Sequence, residues 1–190
     1  GLNLNPLYKL GQGFDTYYQL NYTSASFRTT LPLALNWAKE RSGKGEKFFL
    51  VAHGNDLHTP FVFPASSLYD MGFKVNSRLN SLSGDDAALF AAYNRLLPLE
   101  RTKEVIKLGD GDVGHLVARY DEDINYSDGL IGDFIAALRS EKMLDRTILI
   151  LTADHGEGLF DHDYFFHDFN LYEDTLRVPL IIKVPGLAGR

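Results

Sequence analysis

The stretch Thr147-Ile-Leu-Ile-Leu-Thr-Ala-Asp-His-Gly-Glu157 decides the fold. Its first part, Thr147 to Thr152, is an apolar run of strand length that is rich in β-branched side chains. Such a run predicts a strand covered on both faces, as in a parallel α/β sheet. Ligand sites in open α/β sheets lie at the carboxyl ends of strands, where Asp154 and His155 follow. Because a carboxylate and an imidazole are good ligands for a divalent cation, these two residues are the predicted metal ligands.

A second and a third apolar run predict further strands. Lys47 to Ala52 is apolar on both faces and runs into polar residues that include His58. Val178 to Val184 is followed by Pro185-Gly186, which ends it. Two strands that both end in His, Asp or Asn side chains on one sheet edge have what a site requires.

Helices are predicted between these strands. One begins at Thr29 or Thr30, with Pro32 in its first turn, and ends at Gly43-Lys-Gly45. A short helix is predicted from Ala87 to Leu97, and a long one from about Val113 to Ser140 with Asp112 as its N-cap. The apolar stripe of the long helix consists of Tyr120, Ile124, Ile131, Ile135 and Leu138.

The long helix contains Gly129 and Gly132, which weaken it and are expected to allow close packing on the sheet. The alternation of helices and strands predicts an α/β layered sheet. Three strands make a small core, so residues 1–190 are predicted to be a single but partial domain.

The composition excludes several classes of function. The net charge of −6 gives no electrostatic support for binding nucleic acid. No apolar run approaches the length that spans a membrane. With no cysteine, the chain has no disulfide, no thiolate metal site and no cysteine nucleophile.

Histidines cluster around the predicted site. His58 follows the second strand, and His162 and His167 lie downstream of the metal candidates. Imidazole can donate a proton to a leaving group or bind an anionic oxygen. One metal with several imidazoles fits the cleavage of a phosphate or sulfate ester. The alternative is that Asp154 caps a helix and that each histidine is an ordinary loop, surface or core residue.

Three segments together resemble the sulfatases. Asp56-Leu-His58-Thr-Pro60-Phe61 is similar to the segment in which a sulfatase strand ends in Asp-x-His-(Ser/Thr)-Pro-aromatic. Thr152-Ala-Asp-His-Gly-Glu157 resembles the sulfatase metal motif, and Leu176-Arg-Val-Pro179 resembles the segment that follows it. The resemblance implies an alkaline-phosphatase-like layered sheet with helices on both faces, and hydrolysis of a sulfate monoester.

The same resemblance implies residue roles. Asp154 and His155 would bind a metal, usually calcium in sulfatases. His58 would contact the sulfate or protonate the leaving oxygen, and His167 would share the catalytic role. His162 would line the anion pocket and bind substrate. Many sulfatases have a lysine where this chain has His167 and Asp168. The implied substrate is a small-molecule or carbohydrate sulfate ester, and the implied compartment is periplasmic, secreted or lysosomal.

One motif of the family is absent from the sequence. Sulfatases carry a Cys or Ser nucleophile, matured to formylglycine, in a Cys/Ser-x-Pro-x-Arg motif, and neither form occurs here. We therefore expect a central-to-C-terminal portion of a longer enzyme that does not turn over substrate by itself. Two alternatives stay open. The first is a phosphodiesterase, phosphonate monoester hydrolase or phosphoethanolamine transferase, with zinc or manganese as the metal. The second is a sulfatase-like binding domain without catalysis.

Overall fold

The computed structural model describes residues 9–20, 25–58, 110–162, 165–167 and 171–187. The chain divides into two compact units, one of residues 1–56 with 127–144 and one of residues 57–126 with 145–190. The predicted helix Ala87–Leu97 lies outside the described residues.

Helix α1, Phe27–Gly43, belongs to the first unit. It ends where the sequence predicts but begins two residues before Thr29. Ser26 occupies the N-cap position without a side-chain capping bond. Instead, the Phe27 amide donates a hydrogen bond of 2.6 Å to Oδ2 of Asp56. A carboxylate distant in sequence therefore caps this helix, and sequence rules for local caps cannot detect such a residue.

Helix α2, Asp110–Ser140, runs from one unit into the other. It begins before Asp112, so the prediction of Asp112 as the N-cap is wrong. Acidic residues stabilise the first turn of a helix as well as its cap position, so residue type alone did not fix this boundary. The predicted stripe is also partly wrong, because Ile124 is 42% exposed whereas the neighbouring Asp123 is 1% exposed.

Gly129 and Gly132 of α2 have open space beside them among the described residues. A Cβ atom at Gly129 or Gly132 would meet no atom of the described residues within 4 Å. Within the described residues, the predicted close packing at these glycines is therefore absent.

The core of the first unit joins α1 to the last turns of α2. Its buried members are Ala38, Leu138, Met143 and Leu144. Leu35, Leu50, Phe134 and Ile135 pack around them. A 3-10 turn, Leu144–Arg146, then leads to the apolar run that begins at Thr147.

The segment Lys47–Ala52 forms no strand in the described part of the chain, so that prediction is wrong. Its aromatic residues pack within the first unit instead. Phe48 meets Trp37 edge-on with ring centroids 5.4 Å apart, and Phe49 stacks on Phe14 at 6.4 Å. Apolar composition favours burial here, but a strand also needs a partner for its main-chain hydrogen bonds.

The second unit contains the two strands that the apolar runs at 147–152 and 178–184 predict. Strand β1, Leu149–Thr152, pairs with strand β4, Leu180–Lys183. The pairing is antiparallel, with Thr152 opposite Leu180, which corrects the expected parallel arrangement. The strand is also not covered on both faces, because Ile150 is 57% exposed. Helices and a small sheet nevertheless confirm the α/β class.

Two short strands and one helical turn lie between β1 and β4. Strand β2, Gly158–Leu159, pairs antiparallel with β3, Phe165–Phe166, so that Gly158 lies opposite Phe166. A single helical turn, α3, spans Glu173–Leu176. Among the described residues, no helix is long and apolar enough to cross a membrane.

Replacing Leu138 by Ala is expected to lower the free energy of unfolding by about 2–5 kcal/mol, because it opens a cavity in the core of the first unit. Leu138 is 3% exposed. Chemical denaturation followed by circular dichroism measures the change. The matched control is Leu33→Ala on α1, where Leu33 is 46% exposed; it should change stability by less than about 0.5 kcal/mol. Equal losses in the two variants would contradict this placement of the core.

Candidate active site

The predicted metal ligands Asp154 and His155 follow the end of β1, and we call the segment from Asp154 to Gly156 the metal corner. Because Thr152 pairs with Leu180, the residues that follow β1 run beside those that precede β4. The Gly156 amide donates a hydrogen bond of 2.8 Å to the Thr175 carbonyl in α3. Thr175 is buried, and its hydroxyl donates to the Tyr172 carbonyl at 2.9 Å. This joins the corner to the segment before β4.

Asp154 and His155 present two donor atoms side by side. Nδ1 of His155 lies 2.8 Å from the Gly156 carbonyl oxygen, so this nitrogen carries the proton and donates it. Nε2 is then the nitrogen with the lone pair, and it lies 3.7 Å from Oδ1 of Asp154. Metal-binding histidines commonly donate their second N–H to a backbone carbonyl in this way. The two donors therefore fit a divalent cation.

The pair does not complete a coordination shell. Within the described ranges, no group of three or more His, Cys, Asp or Glu side chains is arranged to hold a metal ion. The Asp154 side chain is 72% exposed and can be reached by a cation from solvent. A complete coordination shell therefore requires ligands in addition to these two side chains.

His167 brings three imidazoles together. Its ring stacks on that of His155, with centroids 3.9 Å apart and an interplanar angle of 24°. The ring of His58 meets it edge-on at 5.0 Å and 78°. The structure thus brings together His58, His155 and His167, which the sequence predicts for one site.

Glu157 holds His167 from the side. The pairing of Gly158 with Phe166 makes Glu157 and His167 the next facing positions along the hairpin. Nδ1 of His167 lies 3.2 and 3.3 Å from the two carboxylate oxygens of Glu157. Both side chains are largely buried, at 11% and 3% exposure. Since a carboxylate only accepts, Nδ1 carries a proton. Sequence reasoning gave Glu157 no role, because the contact depends on the hairpin register.

A second buried carboxylate, that of Asp123, contacts the residue before His58. Oδ2 of Asp123 accepts a hydrogen bond of 3.0 Å from the Leu57 amide. Leu57 has φ of +70°, a left-handed conformation that costs a residue with a side chain about 1–3 kcal/mol. Asp123 lies on α2, so this helix fixes the turn that carries His58. The sequence analysis gave Asp123 no role in the site.

Tyr120 lies one turn before Asp123 on α2 and near both carboxylates. Burial raises the pKa of its phenol, and the negative charges of Glu157, Asp123 and Asp121 raise that pKa further. Tyr120 therefore remains a neutral hydroxyl at neutral pH and does not serve as a phenolate base.

His162 takes a different place from the other three histidines. It is exposed, and its ring stacks on Tyr172 with centroids 3.9 Å apart. Among the described residues, the ring of His162 therefore contacts Tyr172 and not His167. Its predicted role in binding the anion stays a prediction.

The fold and motifs define a known family. The sequence profile of the sulfatases matches residues 4–190, so the chain belongs to the sulfatase family. Arylsulfatase K of Bos taurus is 27% identical over 165 residues, which cover 81% of this chain and 30% of the bovine protein. Choline-sulfatase of Rhizobium meliloti (strain 1021) is 38% identical over 69 residues, which cover 36% of this chain and 13% of that protein.

A solved structure supports the same fold. The Bacteroides fragilis protein yidJ, solved as a candidate sulfatase, matches with a TM-score of 0.57 at 23% identity. The match covers 90% of this chain and 33% of the yidJ chain. This chain therefore spans about a third or less of the proteins that it matches over most of its length.

Replacing Gly156 by Ala is expected to destabilise the metal corner by about 1–3 kcal/mol, because the added methyl group overlaps neighbouring atoms. Its Cβ would collide with the main-chain carbonyl oxygen of Asp174. The matched control is Gly129→Ala on α2, which meets no described atom and should stabilise the helix by about 0.5–1 kcal/mol. Urea denaturation compares the two variants. A Gly156→Ala protein as stable as the parent would contradict the packing described.

Proposed function

We propose that this chain is the metal-binding and histidine-bearing portion of a sulfuric ester hydrolase. The observation that carries the proposal is the grouping of His58, His155 and His167 next to Asp154 in a member of the sulfatase family. The proposed substrate is a sulfate monoester of a small molecule or a carbohydrate. The hydrolysis itself requires the nucleophile of the longer protein that the sequence analysis expects.

Asp154 and His155 are the proposed ligands of a divalent cation, which we take to be calcium. When bound, the cation neutralises charge on the sulfate oxygens. His155 contributes through Nε2, because its Nδ1 proton is donated to the Gly156 carbonyl. Asp154 contributes an exposed carboxylate whose Oδ1 also accepts the His155 amide at 3.2 Å. A carboxylate oxygen has two acceptor sites, so Oδ1, which lies beside Nε2 of His155, can also bind the metal.

His167 and His58 are the proposed groups for anion binding and proton transfer. The contact with Glu157 assigns Nδ1 of His167 to the carboxylate, so Nε2 is the nitrogen that exchanges a proton with the ester. An imidazole suits both the binding of a sulfate oxygen and the protonation of a leaving group. His58, edge-on to His167, is placed to share this task.

The reading as a phosphodiesterase, phosphonate monoester hydrolase or phosphoethanolamine transferase shares the Asp154-His155 metal pair and would favour zinc or manganese. A longer protein that carries the nucleophile distinguishes the readings. It is expected to cleave an aryl sulfate at least about tenfold faster than a bis-aryl phosphate, which corresponds to about 1.4 kcal/mol of transition-state binding. Release of the phenol is followed by absorbance. Faster phosphate cleavage would favour the phosphate branch, and no cleavage of either ester would favour a binding domain without catalysis.

Asp154→Ala in that longer protein is expected to abolish binding of the divalent cation, because it removes one of two adjacent donors. The matched control is Asp161→Ala, which removes an exposed carboxylate of the β2–β3 hairpin and should leave metal content unchanged. Elemental analysis of both purified variants gives the metal content and identifies the metal. Equal metal content in the Asp154→Ala protein and the parent would refute the assignment.

A further inference from the structure

We infer that Asp123 is a positioning residue for His58: its carboxylate holds the Leu57 amide in a left-handed turn and so sets the His58 ring against His167. The inference deepens the function proposed above and rests on it for the catalytic meaning of His58. Asp123 itself acts through the main chain at Leu57.

The carboxylate of Asp123 is deeply buried. Asp123 is 1% exposed, among the most buried side chains in the described part of the chain. A carboxylate placed so deep requires hydrogen-bond donors, and the Leu57 amide supplies one at 3.0 Å. The flanking residue Ile124 is 42% exposed, so α2 turns its polar side chain inward at this point and leaves an apolar one outside. Packing alone would favour the opposite orientation.

The backbone at Leu57 has a left-handed conformation. A leucine with φ of +70° adopts a conformation that side chains with a Cβ rarely populate. Such a conformation persists only where the surroundings impose it, and such residues cluster at functional sites. The hydrogen bond from Leu57 to Asp123 is a contact that imposes it.

The residue next to this turn is His58. His58 follows Leu57 directly, and its ring lies 5.0 Å from that of His167. His167 is fixed independently by Glu157 and by the His155 ring. The mutual placement of His58 and His167 therefore depends on how the Leu57 turn is held. A relaxed Leu57 would redirect the His58 side chain, since the residue after a left-handed turn changes direction with it.

The test compares variants of the 190-residue chain by nuclear magnetic resonance with labelled histidines. The readout is the nuclear Overhauser contact between the rings of His58 and His167, with the contact between His155 and His167 as the internal reference. Asp123→Ala is expected to abolish the first contact and retain the second. Asp123→Asn keeps an acceptor for the Leu57 amide and is expected to retain both. Asp121→Ala, on the same helix, is the matched control and is expected to retain both.

A second-site variant distinguishes loss of the Leu57 turn from general misfolding. Leu57→Gly removes the steric cost of the left-handed turn, so it is expected to restore the ring contact at least in part when combined with Asp123→Ala. Retention of the His58–His167 contact in Asp123→Ala would overturn the inference. It would also be overturned if Asp123→Asn lost the contact, or if Asp123→Ala lost all histidine contacts together and Leu57→Gly restored none.

The same variants in the longer protein separate this inference from the proposed function. If the ring contacts change as expected while the parent hydrolyses no sulfate ester, the proposed function fails and the positioning by Asp123 stands. If the parent is a sulfatase, Asp123→Ala is expected to lower kcat by at least tenfold with little change in KM, and Asp123→Asn to restore most of the rate. If the Asp123→Ala enzyme had the same kcat as the parent, this would contradict the inference.

Discussion

The hydrogen bond between the Gly156 amide and the Thr175 carbonyl connects the two segments on which the site is built. One segment follows β1 and carries the metal candidates, and the other precedes β4. They meet because β1 and β4 run antiparallel, so the carboxyl end of one strand lies beside the amino end of the other. Only a glycine fits at this crossing, because the Asp174 carbonyl occupies the space of a side chain. The hairpin that carries His167 starts directly after this point.

Two buried carboxylates accompany the imidazoles of this site. Asp123 and Glu157 are both buried, and their charges add to the effect of burial in raising the pKa of the nearby Tyr120 phenol. Burying two negative charges is unfavourable unless donors or positive charge compensate for it. Main-chain and imidazole N–H groups provide donors here. These hydrogen bonds therefore compensate in part for burying the two carboxylates.

The sequence predicted the elements better than their pairing. Apolar runs identified β1 and β4, and helical periodicity identified α1 and α2, because both signals report burial of nearby residues. The direction of the β1–β4 pair could not be predicted, since an apolar run is the same in parallel and antiparallel sheets. Lys47–Ala52 shows the same limit, because its apolar residues are used in aromatic contacts within the first unit.

The residues of the candidate site were proposed from the sequence, whereas the contacts of the two buried carboxylates, Glu157 and Asp123, were not. Asp154, His155, His58 and His167 follow from strand ends and from motif resemblance. Glu157 owes its role to the hairpin register, and Asp123 owes its role to an amide 66 residues away in sequence. Helical periodicity favoured Ile124 over Asp123 as the buried residue. The pattern depends only on the hydrophobicity of each side chain and takes no account of a hydrogen-bond partner elsewhere in the chain. Contacts of this kind require tertiary structure.

The outward residues of β1 and β4 have a consequence for how the chain behaves at high concentration. Ile150, Leu180 and Ile182 are all more than half exposed, and they lie on a sheet of two strands whose outer edges are unpaired within the described residues. Exposed apolar strands with open edges add further strands from other molecules. Lys183 is the charged residue of β4, and its ammonium donates to the Thr147 carbonyl. Colloidal stability of the isolated chain therefore depends on low concentration and on solvents that weaken apolar association.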